Sequence, residues 1–204
     1  MNDYHKPKPS IPHQELQIRP LSKKDVLNGF NCGDGEGEAD LNGFLIDDAK
    51  LSQDDLITKT YLCFYNSNLV GFITLLNDTI GKDRVEDGIE EYEYGKYPAI
   101  KIARLAVQKE YRDRDIGTSL LNWALGKVYD VSKHVGCRYI TVNAKRESIE
   151  FYTVKSKLKF RIVKATEKNN YPSLYLDMHP IIIGMQPRES LDTYVGQDAK
   201  ESDS

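Results

Sequence analysis

The apolar positions along the chain follow two different periods. Four short runs rich in β-branched and aromatic residues predict strands at residues 16–19, 60–65, 69–76 and 99–107. The polar turn Asn66-Ser67-Asn68 separates the second run from the third and predicts a hairpin. Because 99–107 is the next strand along the chain, we expect the last three of these strands to form an antiparallel meander.

Helical spacing is clearest in the middle of the chain. From residue 116 to about residue 135 apolar residues recur every three or four positions, and Gly136 stands where a left-handed C-cap is expected. A weaker pattern of the same period covers residues 41–52, and a capping pattern predicts a short helix that begins near Lys23.

Short elements alternate in the last third of the chain. The pattern predicts strands at residues 138–144, 160–163 and 173–178, with a helix at 148–158. The complete order is β-α-α-β-β-β-α-β-α-β-β. This order predicts an α/β (α+β) fold with a mixed, mostly antiparallel central sheet of about seven strands, flanked by about four helices.

The chain length and the composition of its ends define the expected domain. A chain of 204 residues is long enough for one domain with a full core. The first residues, MNDYHKPKPSIPHQ, are polar and broken by proline, and the residues from about 186 onward lack periodicity. We therefore expect one domain at 16–180, a flexible N-terminal tail at 1–15 and a flexible C-terminal tail at 181–204.

The composition argues against several classes of protein. The net charge of -3 lacks the global basicity of a dedicated nucleic-acid binder. Cys32, Cys63 and Cys137 lie far apart without a Cys-x-x-Cys pair, which fits neither a disulfide framework nor a zinc site, and we expect no metal. The N-terminus lacks the apolar region of a signal peptide, and no apolar run reaches membrane-spanning length. We expect a cytoplasmic protein without a membrane partner.

The stretch YRDRDIGTSLL, residues 111–121, joins a charged loop to the strongest helical pattern. N–H groups in the first turn of a helix bind anions, and a glycine there allows a phosphate to approach the backbone. With the strand before it, the helix after it and the element order, the stretch resembles the signature Arg/Gln-x-x-Gly-x-Gly/Ala of the GCN5-related N-acetyltransferase (GNAT) superfamily. The resemblance extends over residues 16–178.

This resemblance implies that the protein is an N-acetyltransferase with acetyl-CoA as co-substrate. The backbone of one strand would pair with the pantetheine arm, the loop and helix start would hold the pyrophosphate, and an asparagine would contact the cofactor or the strand. In this chain these residues are Leu105, Ala106, Val107, Arg112, Asp113, Arg114, Asp115, Ile116, Gly117, Thr118 and Asn143. The alternative interpretation is an ordinary core strand that precedes a helix start with surface arginines.

The resemblance also assigns a catalytic residue. Tyr152, in NAKRESIEFY, matches the family tyrosine that donates a proton to the departing CoA thiolate. A phenol with a pKa of ~10 is largely protonated at neutral pH and is available as this acid.

Two positions depart from the family pattern. Asp115 stands where the family usually has its first glycine, and its carboxylate is expected either to cap the helix or to face the cofactor and weaken binding. Lys159 stands before Phe160, where the family usually has a glycine, and the turn there is longer.

The acceptor is left open among several amines. Cys32-Gly33, residues 41–45 and Thr60-Tyr61 resemble a GNAT subgroup that includes acetyltransferase toxins of toxin–antitoxin modules, some of which acetylate aminoacyl-tRNA. The acceptor would be a small-molecule amine, a peptide or an aminoacyl-tRNA, and a homodimer or an antitoxin is a further partner that we consider. A degenerate domain that binds CoA or a partner without turnover is the alternative to an enzyme.

Amine chemistry and charge bear on this choice. Deprotonation at pH 7 costs about 4.6 kcal/mol for a lysine amine and about 1 kcal/mol for an α-amine, which favours an α-amine where no base is evident. The acidic insertion at 82–97 is expected near the acceptor side of the cleft, where it would repel phosphates. The basic stretch at 155–164 would contact the CoA 3′-phosphate or RNA, or form a solvated charged face.

Overall fold

A seven-stranded sheet forms the centre of the protein. The structure is a computed structural model that describes residues 8–185. Its strands are β1 (Gln17–Pro20), β2 (Lys59–Tyr65), β3 (Asn68–Gly81), β4 (Lys96–Val107), β5 (Tyr139–Asn143), β6 (Arg161–Ile162) and β7 (Ser173–Asp177). They lie in the order β1-β2-β3-β4-β5-β7-β6. Of the described strand pairs only β4–β5 is parallel, which confirms the predicted mixed, mostly antiparallel sheet.

Within residues 8–185, four helices flank the sheet. They are α1 (Glu36–Gly43), α2 (Ala49–Asp54), α3 (Ile116–Ser132) and α4 (His179–Met185). A π-helical turn, Phe44–Asp48, joins α1 to α2, so the predicted helix at 41–52 is present with a widened middle. Between β5 and β6 the predicted helix at 148–158 is present as a continuous helical segment over residues 146–155, in which a 3-10 turn, Arg146–Ser148, leads through two α-helical residues into a π-helical turn, Phe151–Lys155.

The predicted meander is confirmed and begins with a tight hairpin. Asn66 and Ser67 both adopt the left-handed conformation, with φ of 48° and 65°, as a two-residue turn between twisted strands requires. Asparagine and serine tolerate this conformation at a low cost, and their polar side chains remain in solvent. The sequence signal and the observed turn therefore agree in position and in type.

Two predicted features near helix ends are wrong. Instead of a helix near Lys23, the Asp25 carboxylate accepts the Ser22 N–H at 2.7 Å and pairs with Arg19 at 2.6 Å, which fixes a single turn. Helix α3 ends at Ser132, and no left-handed cap forms at Gly136. Val135 is 66% exposed, so no packing supports a further helical turn.

Apolar side chains cover both faces of the sheet. On one face α3 packs over β3, β4 and β5, and this cluster includes Ile73, Ile102, Leu120, Val142 and Leu174. On the other face α1 and the π-helical turn cover Leu62 and Phe72 with Phe44 and Leu45. The β4–β5 junction therefore lies between two helical layers.

Two acidic side chains of the insertion at 82–97 form ion pairs with the basic stretch at 155–164. Glu86 pairs with Lys164 at 2.6 Å, and Asp87 pairs with Arg161 at 3.2 Å. The insertion packs on the sheet through Val85 and Tyr92, which contact a buried cluster of Ile80, Tyr97, Ala99, Tyr139, Val163 and Tyr175. Part of the acidic charge is thus paired locally within the same domain.

Elements of the structure lie outside residues 16–180, the predicted domain, on both sides. Ile11 is 3% exposed and belongs to the core, and residues 13–15 form a 3-10 turn. At the other end α4 continues to Met185. The other residues of the predicted tails, 1–7 and 186–204, lie outside the described residues.

The contacts of Asp87 lead to a stability prediction. Its carboxylate accepts the hydroxyl of fully buried Tyr139 at 3.2 Å as well as the Arg161 guanidinium. Asp87→Ala leaves that hydroxyl without its partner, and we expect a loss of about 1–2 kcal/mol in the free energy of unfolding in urea. Glu90→Ala is the control, since the exposed Glu90 forms no ion pair with a described residue; an equal loss in both variants would contradict this account.

Candidate active site

Strand β4 separates from β5 halfway along its length. The two strands pair from Ala99 to Ile102 and no further, whereas β4 continues against β3 as far as Val107. The separation coincides with a bulge, because Thr74 pairs with Arg104 and Leu75 pairs with Ile102, which leaves Ala103 as an extra residue on β4. The end of β4 therefore turns away from β5 and opens the sheet.

The opening is continuous with a cleft of about 1160 Å³ that reaches both faces of the sheet. Ten of the eleven residues predicted to bind acetyl-CoA line it: Leu105, Ala106, Val107, Arg112, Asp113, Asp115, Ile116, Gly117, Thr118 and Asn143. Tyr152, the predicted acid, lines it as well. The fold thus brings together residues that are up to 47 positions apart in the chain (105 to 152).

Arg114 is the exception. Its Nε donates to the Pro9 carbonyl at 3.0 Å, and its guanidinium carbon lies 5.7 Å and 5.9 Å from the ring centres of Tyr65 and Tyr111. The side chain therefore faces the N-terminal segment and two aromatic rings, and it is not among the residues that line the cleft. The sequence predicted this side chain at the phosphate rim, and the structure places it elsewhere. The contact with Pro9 spans 105 residues, so no local pattern indicates it.

Arg112 lines the cleft but is held by protein groups. Its guanidinium donates to the Cys32 carbonyl and to the Glu38 carboxylate, the latter at 3.3 Å. Lys145, which follows β5, also pairs with Glu38 at 3.5 Å. Burial opposes the charged form of Glu38, but the two cations outweigh it and keep the pKa of this carboxyl below its usual range. Glu38 therefore links both sides of the opened sheet, a role that its local sequence does not indicate.

Asp115 lines the cleft but does not cap the helix, so the first of its two predicted roles is wrong. It precedes α3 in the left-handed conformation, with φ of 61° and ψ of 11°, and its side chain makes no capping hydrogen bond. The carboxylate instead accepts a hydrogen bond from the hydroxyl of Ser10. A left-handed residue at this position explains why the family usually has glycine there, and aspartate is among the few other residues that adopt it readily.

Gly117 packs closely against Phe151. A methyl group placed on its Cα would lie 3.1 Å from the Cζ atom of Phe151, closer than an ordinary contact. Phe151 in turn packs edge-on against Tyr152, with ring centres 5.0 Å apart. The first turn of α3 is thereby positioned directly against the segment that carries the predicted acid.

Tyr152 is held by aromatic neighbours in the π-helical turn. The residue is 6% exposed, and its ring centre lies 5.6 Å from that of Phe160. Burial raises the pKa of the Tyr152 phenol above its ordinary value, which keeps the hydroxyl protonated. Nearby, Asn143 accepts a hydrogen bond from the Ser173 hydroxyl at 3.1 Å.

The turn after Tyr152 explains the second departure from the family pattern. Lys159 has a φ of 57°, the conformation in which glycine has no steric cost, and Lys157 is also left-handed, with a φ of 63°. The longer turn is accommodated by these two residues, and Phe160 remains buried beside Tyr152. The position of the helical segment is therefore preserved.

The opposite mouth of the cleft is polar and mixed in charge. Its walls include Lys101, Arg104, Asp40, Asp48 and Asp78. The Arg104 guanidinium stacks 3.6 Å from the centre of the Phe44 ring, and Asp78 accepts the Thr141 hydroxyl at 2.5 Å. The acidic insertion packs on this same sheet face, but its residues 82–95 are not among those that line the cleft.

Two further observations concern the described residues alone. Their His, Cys, Asp and Glu side chains form no group of three or more that could hold a metal ion. Within residues 8–185, no helix is both long and apolar enough to cross a membrane.

A bulged strand that leaves its parallel neighbour, followed by a loop and a helix start at the opening, is the arrangement that the resemblance to N-acetyltransferases implied. In agreement, the sequence matches the acetyltransferase (GNAT) family over residues 27–155. The chain belongs to this family and is an acetyltransferase, with acetyl-CoA as the acetyl donor.

The chain is also similar to several individual proteins. It is 23% identical over 136 residues to a tRNA-acetylating toxin of Mycobacterium tuberculosis, covering 67% of this chain and 80% of that protein. The structure of AtaT complexed with acetyl-methionyl-tRNAfMet has a TM-score of 0.72 and 21% identity, covering 84% and 99% of the two chains. A tyrosine-to-phenylalanine mutant of AtaT, bound to the C-terminus of the antitoxin AtaR and acetyl-CoA, has a TM-score of 0.65 and 22% identity, covering 84% and 99%. These structural likenesses confirm the fold.

The packing of Gly117 leads to a binding prediction. Gly117→Ala pushes the first turn of α3 away from Phe151, and we expect acetyl-CoA to bind at least about fivefold more weakly in calorimetry. Gly126→Ala, in the exposed middle of the same helix, has no atom within 4 Å of the new methyl group and should raise stability by about 0.5–1 kcal/mol without a change in binding. Equal affinities in the two variants would show that the Phe151 contact is unimportant.

Proposed function

We propose that this protein transfers the acetyl group of acetyl-CoA to the α-amino group of an aminoacyl-tRNA, with Tyr152 as the general acid. One observation carries the proposal. The Tyr152 phenol is buried, burial raises its pKa, and the residue lines the cleft where β4 separates from β5. The choice of acceptor is supported by the likeness to a tRNA-acetylating toxin and to AtaT.

The protonation states in the cleft favour an amine that needs no strong base. Only a neutral amine attacks a thioester, and an α-amine with a pKa of about 7.8 is deprotonated at little cost near neutral pH. Glu38 is a poor base because its pKa is lowered by Lys145 and Arg112 despite partial burial. A lysine side chain, with a much higher pKa, would be a less suitable acceptor.

The proposed reaction is a direct transfer. The amine nitrogen attacks the thioester carbonyl carbon, the carbon–sulfur bond breaks, and the CoA sulfur receives the proton of the Tyr152 hydroxyl. The new amide nitrogen releases its extra proton to solvent, from which the tyrosine is reprotonated. No covalent enzyme intermediate is involved.

The charge distribution is compatible with an RNA acceptor. Glu86 and Asp87, which would repel a phosphate backbone, are paired with Lys164 and Arg161. The cleft is lined by the cationic side chains of Lys101, Arg104 and Lys155 as well as by aspartates, so it is mixed in charge and not uniformly acidic. The acidic insertion should therefore repel the phosphates of a tRNA less strongly than the sequence alone suggested.

The same proposal includes a biological setting. A toxin of this kind is expected in the cytoplasm, where aminoacyl-tRNA and acetyl-CoA are available, with an antitoxin as its protein partner. The structure of an AtaT mutant with the C-terminus of AtaR supports this expectation by likeness. A homodimer stays a prediction.

An acceptor panel tests the proposed substrate. The protein is incubated with radiolabelled acetyl-CoA and either a set of aminoacyl-tRNAs, the matching free amino acids, or lysine-containing peptides. We expect label on one or more aminoacyl-tRNAs and little on the other acceptors. Transfer to peptides or small amines, with none to any aminoacyl-tRNA, would overturn the proposed acceptor.

The role of Tyr152 is tested separately by Tyr152→Phe. We expect kcat to fall by about 10²–10⁴-fold while the dissociation constant for acetyl-CoA changes by less than about threefold, because only proton donation is lost. Tyr94→Phe, an exposed tyrosine of the insertion, is the control. An unchanged kcat in Tyr152→Phe would exclude this tyrosine as the acid.

The raised pKa of Tyr152 predicts the pH dependence of the wild-type rate. The rate should rise with pH as an α-amine loses its proton near pH ~7.8, and then stay level to pH ~10, since burial keeps the phenol protonated beyond its ordinary range. Initial rates between pH 6 and pH 10 provide the measurement. A decline of the rate between pH 8 and pH 10 would contradict this assignment.

A further inference from the structure

The first described residues form a strap across the outside of the loop that precedes α3. We use the name N-terminal strap for Lys8–Ile11 and phosphate loop for residues 112–118. The Lys8 ammonium donates to the Glu110 carbonyl at 3.0 Å, and the Ile11 N–H donates to the Arg114 carbonyl at 3.1 Å. The strap is therefore attached to the loop through backbone and side-chain contacts alike.

The strap is anchored in the core. Ile11 is 3% exposed and belongs to the same apolar cluster as Ile116, the first residue of α3. Arg114 adds a second anchor, because its Nε donates to the Pro9 carbonyl while its guanidinium lies beside the rings of Tyr65 and Tyr111. These contacts fix the strap in place beside the loop.

Ser10 contacts Asp115, one of two left-handed residues in the loop; the other is Asp113, with a φ of 62°. Asp115 adopts the left-handed conformation immediately before α3, which costs a non-glycine residue free energy. Its carboxylate accepts the Ser10 hydroxyl hydrogen and no N–H of the helix start. This bond both fixes the left-handed residue and directs a negative charge toward the strap.

We propose that the N-terminal strap positions the phosphate loop for acetyl-CoA, with Ser10 and Asp115 as a pair of positioning residues. A glycine at this position would adopt the left-handed conformation without assistance. In this chain the Ser10–Asp115 bond holds Asp115 in that conformation and leaves the N–H groups of α3 free for the pyrophosphate. Neither residue touches the reacting atoms. The proposal concerns donor binding and holds whatever the acceptor is.

A double-mutant cycle tests this coupling through acetyl-CoA affinity, measured by calorimetry on the full-length protein. Ser10→Ala should weaken binding by about threefold, and Ser10→Thr, which keeps the hydroxyl, should restore it. Asp115→Gly should bind at least as tightly as the wild type, because glycine adopts the left-handed conformation and removes a negative charge. In the Asp115→Gly background, Ser10→Ala should have no effect.

Controls separate positioning from general stability. Ser132→Ala removes a serine hydroxyl at the far end of α3, where it donates to the Tyr129 carbonyl at 2.7 Å, and should leave acetyl-CoA binding unchanged. Melting temperatures are recorded for every variant. A loss of affinity in Ser10→Ala that Ser10→Thr restores, and that disappears in Asp115→Gly, supports the proposal.

Several results would overturn it. Unchanged affinity in Ser10→Ala would remove the positioning role, whether or not its melting temperature falls. An equal loss of affinity from Ser10→Ala in the wild-type and the Asp115→Gly backgrounds would show that Ser10 does not act through Asp115. The failure of aminoacyl-tRNA as acceptor would leave all of these outcomes unaffected.

Discussion

The separation of β4 from β5 is the constraint on which the rest of the site depends. One extra residue, Ala103, bends β4 after its last pair with β5, so the end of the strand retains β3 on one side and loses its neighbour on the other. Backbone groups left in this way need partners, and an extended ligand can provide them. The phosphate loop and the Tyr152 segment pack against each other at this opening, so the proposed sites of donor binding and proton donation share one cleft.

Left-handed residues at both ends of the site show how a family pattern can change while its geometry is kept. Asp115 and Lys159 stand where the family usually has glycine, and both have a positive φ. The cost of that conformation must be offset by contacts elsewhere. For Asp115 those contacts come from the N-terminal strap, which the sequence assigned to a flexible tail.

The sequence predicted the parts of the molecule that local rules determine. The Asn66-Ser67 turn, the strand that ends at Val107 and the start of α3 at Ile116 follow from turn chemistry and apolar periodicity, and each was found. The resemblance to a known family then brought Tyr152 and the phosphate loop into one site. Near Lys23 the capping contact from the Ser22 N–H to Asp25 is present, but Asp25 also pairs with Arg19 and the segment forms a single turn instead of the predicted helix.

Contacts between distant parts of the chain could not be predicted. Glu38 meets Arg112 and Lys145, Arg114 meets Pro9, and Asp87 meets Arg161, each over 70 or more residues. None of these pairs has a local pattern, because their geometry is set by the packing of whole elements. The sequence therefore identified several segments that line the cleft but not the directions of its charged side chains.

Amide hydrogen exchange with and without acetyl-CoA tests the central claim, that the donor binds along the separated end of β4 and at the start of α3. The account predicts slower exchange on acetyl-CoA addition for the amides within residues 103–107 that do not bond to β3, and for those of residues 113–118. Slower exchange confined to other segments, such as residues 82–95, or no change at either place while acetyl-CoA binds, would contradict it.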